Sequence, residues 1–246
     1  MTMITPTIAS FLAMIIPAFA SLILFVHIRR RKILFDKSFF WNYAFGFAII
    51  TLSGFPIYLI NLGIQISYNS LLLLFALSFI TAFAAYLLFY RGTILLFTTD
   101  RFVTTAFPNI ILPFISLFAM AALFYIKLPT ILIYTAMAWG FLFPNNMYLS
   151  ALFLYFFAKG TPLGGTKRRF CTFILTVGWF IMLGLDIILW INAALYLDPN
   201  LWILKIASMK GWFLMRSLSY LIILIGVLLH YRCFKNSSVT ANPSKQ

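Results

Sequence analysis

The sequence predicts an all-α polytopic membrane protein with seven transmembrane helices, and three observations carry that prediction. The chain has 246 residues, of which 63% are hydrophobic and only 9% charged. A soluble domain keeps about a quarter of its residues charged, so the solvent of this chain is lipid. Seven apolar runs each reach the ~20 residues that a helix needs to cross the hydrocarbon. Between alternate runs lie short basic clusters, the mark of cytoplasmic loops. Lipid offers no partner to a bare backbone, so runs of this length must satisfy themselves as helices.

The runs are read in order as follows. The first, 4–27, has neither a basic start nor a small-residue cleavage pattern, so it is a retained helix rather than a signal peptide. Arg29, Arg30, Arg31 and Lys32 follow as the densest basic cluster, which places that loop inside and the N-terminus outside. The second run, 39–60, carries Trp41, Asn42 and Tyr43 at its inner end and an interruption at Gly54 and Pro56 near its outer end. The third, 71–90, ends at Arg91, and the mixed segment after it, with Asp100 and Arg101, lies inside. Pro108 and Pro113 fall within the fourth, 104–126, which Lys127 and Pro129 close outside. The fifth, 131–158, holds Pro144-Asn145-Asn146 in mid-membrane and leads into the basic Gly160–Arg169 loop. Runs 170–197 and 201–230 form a hairpin across Asp198-Pro199-Asn200, and 231–246 is a short basic tail. Residues 1–230 thus form one transmembrane domain, N-terminus out and C-terminus in. This is the orientation expected in the plasma (cytoplasmic) membrane.

Several chemistries are excluded at this level. The four acids are Asp36, Asp100, Asp186 and Asp198, and Glu is absent. Paired-carboxylate catalysis and carboxylate-rich metal cages therefore have no material. The net charge of +14 sits in topology loops rather than along one surface, so nucleic acid is not an expected partner. Cys171 and Cys233 read as plain apolar residues, because a zinc site wants about four ligands and only His27 and His230 could join them. No nucleophile, base and orienting acid can be assembled, and Gly164-Gly165 lacks the spacing of a phosphate loop. The expectation is no enzyme, no catalytic residue, no metal and no cofactor.

What remains are polar groups inside spans. Asp186 lies in the sixth run, and Lys205, Lys210 and Arg216 in the seventh. Charge in hydrocarbon is costly, so such residues are a functional hypothesis by default. Counted from Pro199, Asp186 is 13 residues back, Lys210 11 forward and Arg216 17 forward. At ~1.5 Å per residue these depths differ by about 3 to 6 Å, which predicts an ion pair of Asp186 with Arg216 or Lys210. These charges brace the hairpin, couple protons through Asp186, or bind an anionic substrate at Arg216 and Lys205. Lys205, Trp212, Arg216 and Ser219 share one arc of the seventh helix. On the fifth, Thr135, Trp139, Asn146 and Ser150 share another. Pro144 cannot donate to the carbonyl of Gly140, which leaves a kink beside Asn145 and Asn146. Amides at a helix break are a way to hold a neutral polar solute at the midplane, and their other use is as glue between helices. The expectation is a membrane carrier or channel for a small polar solute with a midplane site, and the candidate binding set is Trp139, Asn145, Asn146 and Arg216.

A repeat pattern adds to this. Ser78-Phe79 with Leu87-Leu88-Phe89-Tyr90-Arg91 parallels Ser219-Tyr220 with Leu228-Leu229-His230-Tyr231-Arg232, at identical spacing. Pro17 parallels Pro144, and Gly54 to Asn61 loosely parallels Gly184 to Asn192. Three helices, a linker helix and three more would make a 3+1+3 parallel repeat. In this layout the chain resembles the SWEET and PQ-loop transporters, with seven spans, an external N-terminus, similar length and prolines in spans one and five. Their Pro-Gln pair is absent, since Pro17 is followed by Ala18 and Pro144 by Asn145. The resemblance implies rocking three-helix repeats, a small polar solute as partner alongside the bilayer, and association into homo-oligomers.

The alternative is a seven-helix sensor. The Arg29 to Lys37 turn leading into Phe39-Phe40-Trp41 resembles the input modules of bacterial signalling proteins. The 16 residues beyond His230 are too few for an output domain, so a sensor would need a separate cytoplasmic partner docking at Gly160–Arg169. A retinal-binding reading of Lys210 fails, because the third span has no carboxylate to stabilise a Schiff base.

Overall fold

The computed structural model describes residues 6–31, 37–97, 114, 143–159, 166–197 and 209–240. Among them the elements are helices: α1 (Pro6–Arg31), α2 (Lys37–Ser53), α3 (Phe55–Asn61), α4 (Tyr68–Phe97), α5 (Phe143–Lys159), α6 (Thr166–Leu197) and α7 (Met209–Thr240). Four stretches are long and apolar enough to cross a membrane, namely Thr7–Arg30, Asn69–Ile94, Arg169–Ile187 and Gly211–His230. A shorter apolar helix covers Ser38–Ser53. The expected fourth span and the first half of the fifth lie outside the described residues.

Local sequence explains how the elements end. Pro56 has no N–H to donate and its ring crowds the carbonyl four residues back, so the second run breaks into α2 and α3. At the break the Gly54 N–H donates to the Thr51 carbonyl at 3.3 Å, and the Gly54 carbonyl accepts from the Tyr58 N–H at 3.2 Å. The Ser53 carbonyl is capped by the Ser78 hydroxyl of α4 at 2.5 Å. In an apolar medium such a side-chain cap is what makes a broken helix tolerable. After α3 the chain turns at Gly63, whose φ of +75° suits a residue without Cβ. Thr7 of α1 donates to the Asn61 carbonyl at 2.7 Å and ties α3 to the start of α1. Pro17 lies inside α1 without ending it. The third run also differs from expectation: α4 continues past Arg91 to Phe97, because the exposed Arg91 side chain leaves the helix sideways and need not end it.

Helix α1 packs between α2 and α7, α2 packs on α4, α7 on α6 and α6 on α5. The order around the bundle is therefore α4, α2, α1, α7, α6, α5. One end gathers the C-termini of α1, α4, α5 and α7 with the N-termini of α2 and α6. Phe39 meets His230 there at 5.7 Å and Phe157 meets Phe173 at 5.6 Å. Arg29, Arg30 and Arg169 are exposed at this basic end. At mid-bundle the buried rings of Phe47, Phe89, Trp179 and Tyr220 form a layer across α2, α4, α6 and α7. Phe47 lies 5.3 Å from Phe89 and 6.0 Å from Tyr220, and Phe89 lies 5.4 Å from Trp179, all edge-on. Outward, large apolar side chains such as Phe19, Leu22, Leu73, Leu77 and Ile80 are exposed, the surface that lipid wets and water would not.

Two helix crossings are close because glycine leaves room. A Cβ on Gly46 would lie 2.6 Å from the Phe89 ring, and one on Gly92 would lie 3.0 Å from Tyr43. In the other hairpin a Cβ on Gly178 would lie 2.6 Å from Ile223 Cγ1, and one on Gly226 would lie 2.7 Å from Leu175. Each crossing is reciprocal: a large side chain three residues from one glycine fills the hollow over the other. Small residues of this kind let membrane helices approach closely, where packing must replace the hydrophobic effect.

One expectation is corrected here. Cys171 is disulfide-bonded rather than a plain apolar residue; the side chain of the chain's other cysteine, Cys233, lies outside the described ones.

The glycine crossings make a stability prediction. Gly178→Leu should separate α6 from α7 and cost about 1 to 3 kcal/mol in a detergent unfolding titration. Gly184→Ala, with no atom within 4 Å of its Cβ, should be neutral or slightly stabilising. Equal stability of the two variants would refute the crossing.

Candidate functional site

Four helices bring polar side chains to one place between α4, α5, α6 and α7. On α4, Tyr86 and Tyr90 are four residues apart and so share a face. The Tyr86 hydroxyl donates to Asn146 Oδ1 at 2.7 Å. Asn146 Nδ2 in turn donates to Asp186 Oδ2 at 2.6 Å. The amide is oriented by this chain, since its oxygen must meet the hydroxyl and its nitrogen the carboxylate. One turn toward the basic end, the Tyr90 hydroxyl bonds Asn145 Oδ1 and lies 3.2 Å from the Asn145 carbonyl oxygen. These hydroxyl–amide bonds join α4 to α5 and close the ring of helices.

Across from the amide stands Arg216 of α7. Its Nε donates to the Tyr220 hydroxyl at 3.0 Å, and its guanidinium lies 4.9 Å from the Trp212 ring centre and 5.7 Å from that of Tyr220. Arg216 sits midway between these two rings in sequence, so the i, i+4 spacing of the helix stacks all three. The Trp212 indole N–H is satisfied by the Leu185 carbonyl of α6 at 3.2 Å. Asp186 is 3% exposed and Arg216 9% exposed. Asp186 and Arg216 line the same cavity. Among the described residues, however, no ion-pair contact joins them, and the hydrogen bond to Asp186 comes from Asn146.

Tyr86, Asn146, Met182, Leu185, Asp186, Trp212 and Arg216 line a narrow cavity too tight to admit a water molecule. The site as described is drawn tight, so any solute would enter only after the four helices part. It lies about one to two turns from the aromatic layer, on the side away from the basic end: Arg216 precedes Tyr220 and Asp186 follows Trp179 on helices of opposite direction.

The sequence-derived candidates fall as follows. Asn145, Asn146, Asp186 and Arg216 are buried together at this junction. Trp139 and Lys205 lie outside the described residues. Lys210 belongs to α7, with its side chain outside the described ones. Ser150 is buried on α5 one turn beyond Asn146. Tyr86, Tyr90, Met182, Leu185 and Tyr220 join the junction without having been singled out. The hydroxyl pair Tyr86 and Tyr90, at helical spacing within an apolar run, was the signal that could have found two of them. Among the described residues no three His, Cys, Asp or Glu side chains gather to hold a metal.

The network predicts unequal costs. Tyr86→Phe removes one hydrogen bond and should cost about 0.6 to 1.7 kcal/mol in a mixed-micelle unfolding titration. Asn146→Leu removes the bonds to both the Tyr86 hydroxyl and the Asp186 carboxylate and should cost more, about 1 to 3 kcal/mol. If Asn146→Leu were as stable as the unaltered protein, the bridge would be absent.

Comparison with known protein families, with curated proteins and with solved structures finds no match to this chain, so the chemistry of the site rests on its own geometry.

Proposed function

We propose that the protein is a membrane carrier for a small polar solute, with its site at the α4, α5, α6, α7 junction. The observation that carries this reading is the placing of an acid, a guanidinium, an amide and a phenol around one cavity in an otherwise apolar bundle. Structural glue needs only satisfied pairs, whereas here opposite charges share a cavity without contact. The tight cavity is then an occluded state, and the aromatic layer of Phe47, Phe89, Trp179 and Tyr220 is the seal toward the basic end. Positively charged loops support a cytoplasmic basic end, with the N-terminus out and the C-terminus in, and the proposed membrane is the plasma membrane.

The SWEET-like and PQ-loop-like architecture of two three-helix units belongs to the same proposal. Helices α4 and α5 both run toward the basic end, the parity that a seven-span reading asks of its third and fifth spans. Both triplets place their middle helix between the other two, α2 between α1 and α4 and α6 between α5 and α7. Both hold their second and third helices by reciprocal glycine crossings. Ser78 caps the Ser53 carbonyl in one triplet, and Ser219 caps the Gly178 carbonyl at 2.6 Å in the other. The likeness is one of packing: the pairing of Gly92 with Gly226 runs two helical turns out of step with that of Ser78 and Ser219. Rocking of one triplet against the other opens the α4–α5 seam, where hydroxyl–amide bonds rather than broad apolar packing hold the ring closed.

Uptake into proteoliposomes of labelled sugars, amino acids and organic ions, with and without a pH gradient, tests the proposal. The expected result is uptake of at least one solute, abolished by Asn146→Ala. Should Asp186 carry protons, Asp186→Asn removes the effect of the gradient and leaves exchange intact. No uptake by folded protein would refute the carrier and favour a sensor acting through a partner at the Gly160–Arg169 loop.

A further inference from the structure

We infer that the solute is a small zwitterion, bearing one ammonium and one carboxylate, held with its ammonium at Asp186 and its carboxylate at Arg216. This rests on the carrier reading and names the solute class of the same site. Its ground is the half-committed state of both charges. Asp186 receives Asn146 on Oδ2, and among the described residues nothing bonds its Oδ1. Arg216 uses Nε on Tyr220, and among the described residues nothing bonds its two terminal nitrogens. Both side chains are more than nine-tenths buried and line the one cavity.

Two opposite charges in an apolar interior gain most by meeting directly. Here each is held by a neighbour instead. Asn146 fixes the carboxylate from the α5 side, and the Trp212 and Tyr220 rings clamp the guanidinium on α7. A fixed acid and a fixed guanidinium facing one cavity match a ligand with a cation and a carboxylate a few bonds apart. The planar guanidinium offers its terminal N–H groups as a fork to a carboxylate, and the free oxygen of Asp186 accepts from an ammonium.

Charge balance excludes the other classes. A zwitterion adds no net charge to the membrane interior and leaves neither protein charge unmatched. An anion alone would satisfy Arg216 and be repelled by Asp186. An amine alone would meet the reverse fate. A neutral sugar would bring no charge of its own to either group and would hold the two apart, a costly arrangement away from water. Met182, Leu185 and Trp212 supply the remaining wall, so the side group of the zwitterion is short and apolar.

The test uses the unaltered protein in proteoliposomes, with labelled alanine as probe. Competitors are unlabelled alanine, N-acetylalanine, which keeps only the carboxylate, and alaninamide, which keeps only the cation. Uptake of alanine is expected, with both singly charged analogues roughly 100-fold weaker as competitors, because each leaves a buried charge unpaired. Asp186→Asn should raise the relative potency of N-acetylalanine, and Arg216→Gln that of alaninamide, in protein that remains monodisperse on size exclusion. Alanine uptake with either analogue competing as well as alanine itself would overturn the inference. So would uptake of a sugar or of a singly charged ion that alanine does not inhibit, with the carrier reading left standing. Absence of uptake for every solute in the wider panel would bring down both.

Discussion

A carboxylate inside hydrocarbon demands hydrogen bonds and a counter-charge, and the interior of this bundle is arranged around meeting that demand at Asp186. The bond from Asn146 is its centre. Through it the acid of α6 is joined to α5, and through the Tyr86 hydroxyl to α4. Arg216 of α7 lines the same cavity and places a cation there without contacting the acid. Four helices that share little else in polarity are thus referred to one group. Among the described residues the seam between α4 and α5 is bridged by these hydroxyl–amide bonds and by the Tyr90–Tyr148 ring contact at 5.2 Å.

The apolar remainder makes this arrangement rigid. In a membrane no hydrophobic effect drives helix against helix, so close approach at Gly46, Gly92, Gly178 and Gly226 substitutes for it. The aromatic layer of Phe47, Phe89, Trp179 and Tyr220 spans the bundle on the basic side of the junction. Tyr220 belongs to both systems, packing against Phe47 and accepting from Arg216 Nε. A shift of the guanidinium is therefore felt by the layer that separates the junction from the basic end. Function and fold meet in that one side chain.

Much of the helical layout was legible in the run lengths, because lipid imposes the same span on every helix. The break at Gly54 and Pro56 was legible too, since a missing N–H acts locally. Arg91 misled as a terminus: a charge on the helix surface reaches sideways, and the backbone of α4 continues to Phe97. The site was half readable. Asn146 and Asp186 were each conspicuous as polar groups in apolar runs, but depth along the last hairpin can compare only its own residues. It pointed Asp186 at cations and could not see an amide on another helix. Tyr86 and Tyr90 were hidden by a chain with 12 Tyr and 29 Phe, where another aromatic carries little information. The bonded state of Cys171 is encoded in no local pattern.

The central claim is that this polar junction is a solute site and not merely a brace. Solvent access at a cavity-lining apolar position tests it without knowing the solute. Leu185→Cys, in protein with Cys171 and Cys233 replaced by Ser, would be exposed to a membrane-impermeant thiol reagent on either side of sealed, oriented vesicles. The account predicts labelling from the side away from the basic end, faster than that of a lipid-facing cysteine, and slowed by a transported solute. No labelling from either side in folded protein would mean that the junction never opens to water. Asp186, Asn146 and Arg216 would then be a brace.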